Sequence, residues 1–109
     1  MEIGIRARGF GLTAGLRQRV LHRLRFAFAA IAHRVRGVDV CLADDNGPRG
    51  GADKRCRVRV VVPGAPAVVI EDVEPDLYAA IDRAVDRAGR TAARRLDRGR
   101  DERRAAEAG

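Results

Sequence analysis

Hydrophobic and polar positions alternate with a period of two at the start of the chain. Ile3, Ile5 and Ala7 fall on one side, and Glu2, Arg6 and Arg8 on the other, the pattern of a half-buried strand. Gly9-Phe10-Gly11 interrupts it. Thr13 is placed to cap a helix, and Leu16, Val20, Leu24, Phe28, Ile31 and Val35 recur at helical spacing; this predicts a first helix from about Thr13 to Arg34. Gly37 ends it. Val38, Val40 and Leu42 then alternate with Asp39, Cys41 and Ala43 as a second strand, and the turn-rich stretch from Asp44 to Asp53 reads as a long hairpin loop. From Lys54 to Val62 the alternation resumes, with Cys56, Val58, Val60 and Val62 opposite Arg55, Arg57, Arg59 and Val61. Pro63-Gly64 closes this third strand, and Ala67 to Val73 is a fourth, more uniformly apolar one.

A second helix is predicted from Pro75, whose missing N–H suits a first helical turn, with Asp76 complementing the helix dipole. Its apolar stripe is Leu77, Ile81, Val85, Ala88, Ala92 and Leu96. Gly89 and Gly99 weaken the helix, and past about Arg100 the sequence turns to mixed charge and alanine. The predicted order is thus β-α-β-β-β-α. The last three strands form a meander, the first helix is the crossover for parallel pairing of strands one and two, and both helices cover one face of a four-stranded sheet. This is an α+β two-layer sandwich of one domain, residues 1–99, followed by a charged, flexible tail, residues 100–109.

Composition adds a partner class. Among 109 residues, 22 Lys and Arg face 15 Asp and Glu, for a net charge of +7. Lys54 is the only lysine, so arginine carries nearly all of the positive charge. Such a balance favours a polyanionic partner. No apolar run approaches the roughly 20 residues that span a bilayer, the start of the chain lacks a signal-peptide pattern, and two cysteines do not make a disulfide scaffold. The expected compartment is the cytoplasm, with no membrane partner.

The positions of the arginines sharpen this. On a wheel of about 100° per residue, Arg83, Arg87, Arg90, Arg94 and Arg98 fill an arc of about 80° opposite the apolar stripe of the second helix. The ridge reads either as a solvated face laced with ion pairs, since Asp82, Asp86 and Asp97 lie nearby and Asp86 stands four residues before Arg90, or as a polyanion surface. The sheet favours the second reading. If Ile3, Ile5, Val38, Val40, Val58 and Val60 face the helices, the pleat sends Arg6, Arg8, Arg55, Arg57 and Arg59 to the open face, countered at mid-sheet by Asp39. Guanidinium forks suit phosphate.

Other candidates carry less chemistry. Phe26 falls away from the apolar side of the first helix, among Arg19, His22, Arg23 and His33, where it is either an isolated exposed residue or a stacking or docking point. His22 and His33 have no partner at metal-ligand spacing. Cys41 and Cys56 sit on neighbouring strands but opposite faces, which disfavours a disulfide and a shared metal alike. Cys56 reads as a core thiol, and Cys41, near arginines, lacks a paired base for nucleophilic work. The Gly47 to Gly51 stretch lacks the ending of a phosphate-binding loop. No catalytic residue, metal, cofactor or small-molecule substrate is expected.

The element order, Leu12-Thr13 at the first helix, the run Asp53-Lys54-Arg55-Cys56-Arg57-Val58, and above all Asp76-Leu77-Tyr78-Ala79-Ala80-Ile81-Asp82-Arg83-Ala84 followed by Arg87 resemble the ribosome hibernation-promoting factor family. Its members are also called ribosome-associated inhibitor A or ribosomal subunit interface proteins. The resemblance spans about residues 1–98. It implies a domain similar to a double-stranded-RNA-binding fold and a bacterial, non-enzymatic protein. Such a protein binds the small ribosomal subunit and its rRNA between head and body, occludes the mRNA and tRNA sites, and idles the ribosome in stress or stationary phase. The family's basic positions carry over to Lys54, Arg55, Arg83, Arg87, Arg90 and Arg94, and Tyr78 and Asp82 match its second-helix signature. With nothing like the extra C-terminal domain of long members, the chain resembles the short form. It departs from the family at Ala7-Arg8-Gly9-Phe10, where a Gly-basic-Asn element is usual. Two alternatives stand beside this reading: a module of the same fold that binds an acidic regulatory protein, and a general binder of structured RNA.

Overall fold

The structure, a computed structural model, describes residues 1–45 and 53–108. Strand β1 (Glu2–Arg8) leads into helix α1 (Ala14–Ala27), a 3-10 turn (Ala32–Arg34), strands β2 (Gly37–Asp44), β3 (Lys54–Val61) and β4 (Val68–Glu74), and helix α2 (Leu77–Ala108). The sheet order is β1-β2-β3-β4, with β1 and β2 parallel and the remaining pairs antiparallel. This is the α+β sandwich that the periodicity predicts, with both helices on one face. The tip of the β2–β3 hairpin lies outside the described residues.

Alternation along the strands builds the core. Val38, Val40 and Leu42 of β2 and Cys56, Val58 and Val60 of β3 are buried, and from the helices Leu16, Val20, Leu24, Phe28, Ile81, Val85, Ala88 and Ala92 close over them. Thr13 caps α1, its hydroxyl accepting from the Leu16 N–H at 3.2 Å. Asp76 caps α2, accepting from the Tyr78 N–H at 3.1 Å, so Pro75 precedes the helix instead of sitting in its first turn.

Two helix boundaries differ from expectation. Helix α1 ends at Ala27, seven residues before Arg34, and the chain reaches β2 through a turn and the 3-10 segment. The reason is topological: β2 must start beside β1, where the Glu2 N–H donates to the Arg36 carbonyl at 3.0 Å, and a straight helix would overshoot that point. Phe28, Ile31 and Val35 stay buried because successive tight turns keep them on the core side. At the other end, α2 carries on through residues 100–108 as a fully exposed helical extension, where the sequence reading expects a tail.

Glycine explains the fit of the helices. A Cβ on Gly89 would lie 2.7 Å from the Ala27 carbonyl oxygen, so this residue sets how closely α2 approaches the end of α1. Gly99, by contrast, has nothing within 4 Å. Gly89→Ala is expected to destabilise the fold by about 1–2 kcal/mol in urea unfolding, because overpacking against backbone outweighs the gain in helix propensity of at most about 1 kcal/mol. Gly99→Ala should be neutral or stabilising in the same measurement.

Candidate nucleic-acid interface

The open face of the sheet is assembled row by row from the strand register. Arg6, Cys41, Arg57 and Glu71 lie in one row across the four strands, Arg8, Ala43, Arg55 and Val73 in the next, and Gly4, Asp39, Arg59 and Val69 on the other side. Arg6, Arg8, Arg57 and Arg59 are exposed and make no ion pair among the described residues. Arg55 differs. It reaches Asp45 at 2.7 Å and Glu71 at 3.0 Å, so the fifth arginine of the face is neutralised. A shallow concavity of about 290 Å³ opens between Arg6, Asp39, Cys41, Arg57 and Arg59.

The ridge of α2 lies on the far side of the sheet from this face. Arg83 approaches Glu74 at 3.4 Å and Arg87 approaches Asp72 at 3.6 Å, which ties the first two arginines to the edge strand β4. Both arginines remain exposed, while Glu74 and Asp72 are half-buried. Arg90, Arg94 and Arg98 are exposed without an ion pair among the described residues, although Arg94 donates to the Thr91 hydroxyl at 3.4 Å. The pairing of Asp86 with Arg90 that their spacing allows does not form. Asp86 turns to Arg23 of α1, and Asp82 lies 3.4 Å from Arg23 and 3.8 Å from Arg19. Asp82 and Asp86 thus serve the helix–helix joint and leave Arg90, Arg94 and Arg98 without an ion pair among the described residues.

Tyr78 and Asp82, the two signature residues, both belong to that joint. The Arg19 guanidinium stands 5.1 Å from the Tyr78 ring centre, a cation–π distance. The Tyr78 hydroxyl lies where a Cβ on Gly15 would come within 2.9 Å, so Gly15 leaves the space that the ring needs. Sequence reasoning placed Arg19 and Arg23 around Phe26 and missed this clasp, whose signal is the i, i+4 spacing of Arg19 and Arg23 matched by that of Asp82 and Asp86. Phe26 itself is 76% exposed.

Lys54 occupies the helix side of the sheet, held between Asp44 at 2.9 Å and Asp53 at 3.0 Å. The hydrogen bonds it donates to these carboxylates, Asp44 first, raise its pKa above the ordinary 10.5. It is therefore an internal counter-charge, set apart from the open-face arginines. Cys41 is half-exposed on the open face and Cys56 is buried in the core, on opposite faces as the register requires. Burial pushes the Cys56 thiol up to about 12. Among the described residues no group of three His, Cys, Asp or Glu is arranged to hold a metal, and no helix is long and apolar enough to cross a membrane.

These features define a class: a small two-layer α+β domain with arginine surfaces on both sides of its sheet. A family model described as sigma 54 modulation protein / S30EA ribosomal protein matches residues 3–100, and the chain belongs to this ribosome-associated family. It is similar to the N-terminal domain of Thermus thermophilus Protein Y, with 29% identity over 86% of this chain and 98% of that one and a TM-score of 0.69. A ribosomal subunit interface protein from Coxiella burnetii shares the fold, with a TM-score of 0.76 at 13% identity over 89% of this chain and 99% of that one. No curated protein matches the chain.

The thiols give a pH prediction. Cys56 ionises near 9.0 when unfolded and near 12 when folded, so its proton is held more tightly in the native state. Its contribution to stability is complete below pH 9 and is lost as pH rises from 9 towards 12; the raised Lys54 acts with the same sign above about 10.5. Urea unfolding from pH 7 to 10.5 should show this decline, shallower in Cys56→Ala, while a thiol reagent at neutral pH labels Cys41 and leaves Cys56 untouched until unfolding.

Proposed function

We propose that this chain is a non-enzymatic ribosome hibernation factor. It binds the small ribosomal subunit near the decoding channel, covers the mRNA and tRNA sites, and inhibits translation under stress or in stationary phase. Membership of the family supports the ribosome as partner, as do neighbours named Protein Y and ribosomal subunit interface protein. The observation that carries the reading is the inward turn of Asp82 and Asp86 towards α1, which leaves Arg90, Arg94 and Arg98 as a ridge without an ion pair among the described residues. On ribosomal RNA such a ridge engages phosphates, and recognition follows the shape of the RNA more than its bases. Arg83 and Arg87 extend the ridge once phosphate competes with Glu74 and Asp72 for their exposed guanidiniums, and Arg6, Arg8, Arg57 and Arg59 supply a second cationic surface.

A protein-interaction reading rests on Phe26, whose 76% exposure on α1 offers an apolar point to a partner. The two readings diverge in a cell-free translation assay. Stoichiometric addition of the protein is expected to inhibit synthesis, and Arg90→Glu/Arg94→Glu should raise the concentration for half-inhibition by tenfold or more with unchanged thermal unfolding. Equal inhibition by Phe26→Ala and the parent protein is also expected. Loss of inhibition in Phe26→Ala, with the arginine variant fully active, would favour the protein partner.

A further inference from the structure

The open face of the sheet has a relief of its own, separate from the α2 ridge. Along β2 the side chains on this face are small: Cys41 and Ala43 beyond Asp39, with Gly4 beside it on β1. Strands on either side carry long cationic side chains, Arg6 and Arg8 on β1 and Arg55, Arg57 and Arg59 on β3. Two strand spacings separate β1 from β3, so the floor is about 10 Å across between walls of arginine. The concavity lined by Arg6, Asp39, Cys41, Arg57 and Arg59 shares Arg6, Cys41 and Arg57 with a second one lined also by Arg8, Ala43, Arg55 and Glu71, so the two together form a trough along β2 that is open at Cys41 and covered over Ala43, which is buried.

We propose that this trough holds the phosphodiester backbone of a single RNA strand, at a site distinct from the α2 ridge. The inference deepens the ribosome-binding reading by naming the form of RNA that the sheet face takes. Width selects the ligand, since one strand fits between the arginine walls whereas a duplex is too wide to reach the floor. Side chains repeat along each wall every two residues, a step of about 6.6 Å, so guanidiniums meet the strand at successive positions. Carboxylates set the limits: Asp39 closes one end of the floor, and Asp45 and Glu71 neutralise Arg55 near the other. Four guanidiniums without an ion pair among the described residues, Arg6, Arg8, Arg57 and Arg59, remain for phosphate. Among the described residues the sheet face carries no aromatic side chain, so bases are not stacked there and the strand is held by its backbone with little sequence preference.

Cys41, half-exposed on the floor, reports occupancy. The probe is a fluorescent oligouridylate of about eight nucleotides, followed by anisotropy. Four neutralised phosphates at about 0.7 each predict a slope near −3 for log K against log salt. Arg6→Glu/Arg57→Glu should weaken binding at least tenfold, while the charge-matched Arg17→Glu/Arg25→Glu, on the exposed side of α1, changes it less than threefold; circular dichroism establishes that both fold. The oligouridylate should slow labelling of Cys41 by a thiol reagent, and a duplex of equal charge should not. Equal weakening by the two charge-reversed variants, or Cys41 labelling that is indifferent to bound oligouridylate, would overturn the trough. Sedimentation with small subunits separates the two levels of the account: a protein that binds oligouridylate in the trough but no subunit keeps the trough and refutes the ribosome reading, and a protein that binds subunits with Cys41 unprotected does the reverse.

Discussion

The pleat of the two central strands governs this molecule. In β2 and β3 every second side chain is buried, and the residues between them include Asp39, Cys41, Arg55, Arg57 and Arg59. A shift of one residue in register would bury Arg57 and Arg59 and expose Val58 and Val60, and an unpaired guanidinium in the core costs several kcal/mol. The apolar face and the cationic face are therefore one constraint seen from two sides. Substitutions that disturb the core alternation also disturb the surface that meets an anion.

The second joint, between α1 and α2, links stability to surface charge in another way. Asp82 and Asp86 could sit beside the arginines of their own helix, yet they are drawn across to Arg19 and Arg23. Tyr78 lies over the start of α1 and Gly89 admits its end. The result is a tight helix pair whose outward flank carries unbalanced arginine. Arg83 and Arg87 keep loose acidic partners on β4, which makes the cationic strip graded, weakest near the start of α2 and strongest at Arg90, Arg94 and Arg98.

Much of this was legible before any coordinates. Period two in Val38 to Leu42 and in Cys56 to Val62 set the sheet and its two faces, and with them the opposite placement of Cys41 and Cys56. Helical spacing located α1 and α2, and the run from Asp76 to Arg87 pointed to the family. What escaped depends on partners distant in sequence. The end of α1 at Ala27 follows from where β2 must begin, which the continuing apolar spacing through Val35 concealed. Asp86 looked like a partner for Arg90 because helical spacing ranks neighbours within a helix and says nothing about a second helix alongside. Lys54 and Arg55 read as RNA-binding positions, and both are held by carboxylates, Asp44 and Asp53 for the one, Asp45 and Glu71 for the other. The register and the hairpin bring Asp44, Asp45 and Glu71 within reach, whereas Asp53 is the sequence neighbour of Lys54.

On this account the cationic surfaces exist to hold ribosomal RNA, and the fold exists to keep them rigid and outward. The most direct test is sedimentation of purified small ribosomal subunits with increasing protein, at low and moderate salt, with transfer RNA as competitor. Saturable, salt-sensitive co-sedimentation that transfer RNA reduces is the predicted result. Absence of binding, or binding no different from that to any other RNA, would contradict it.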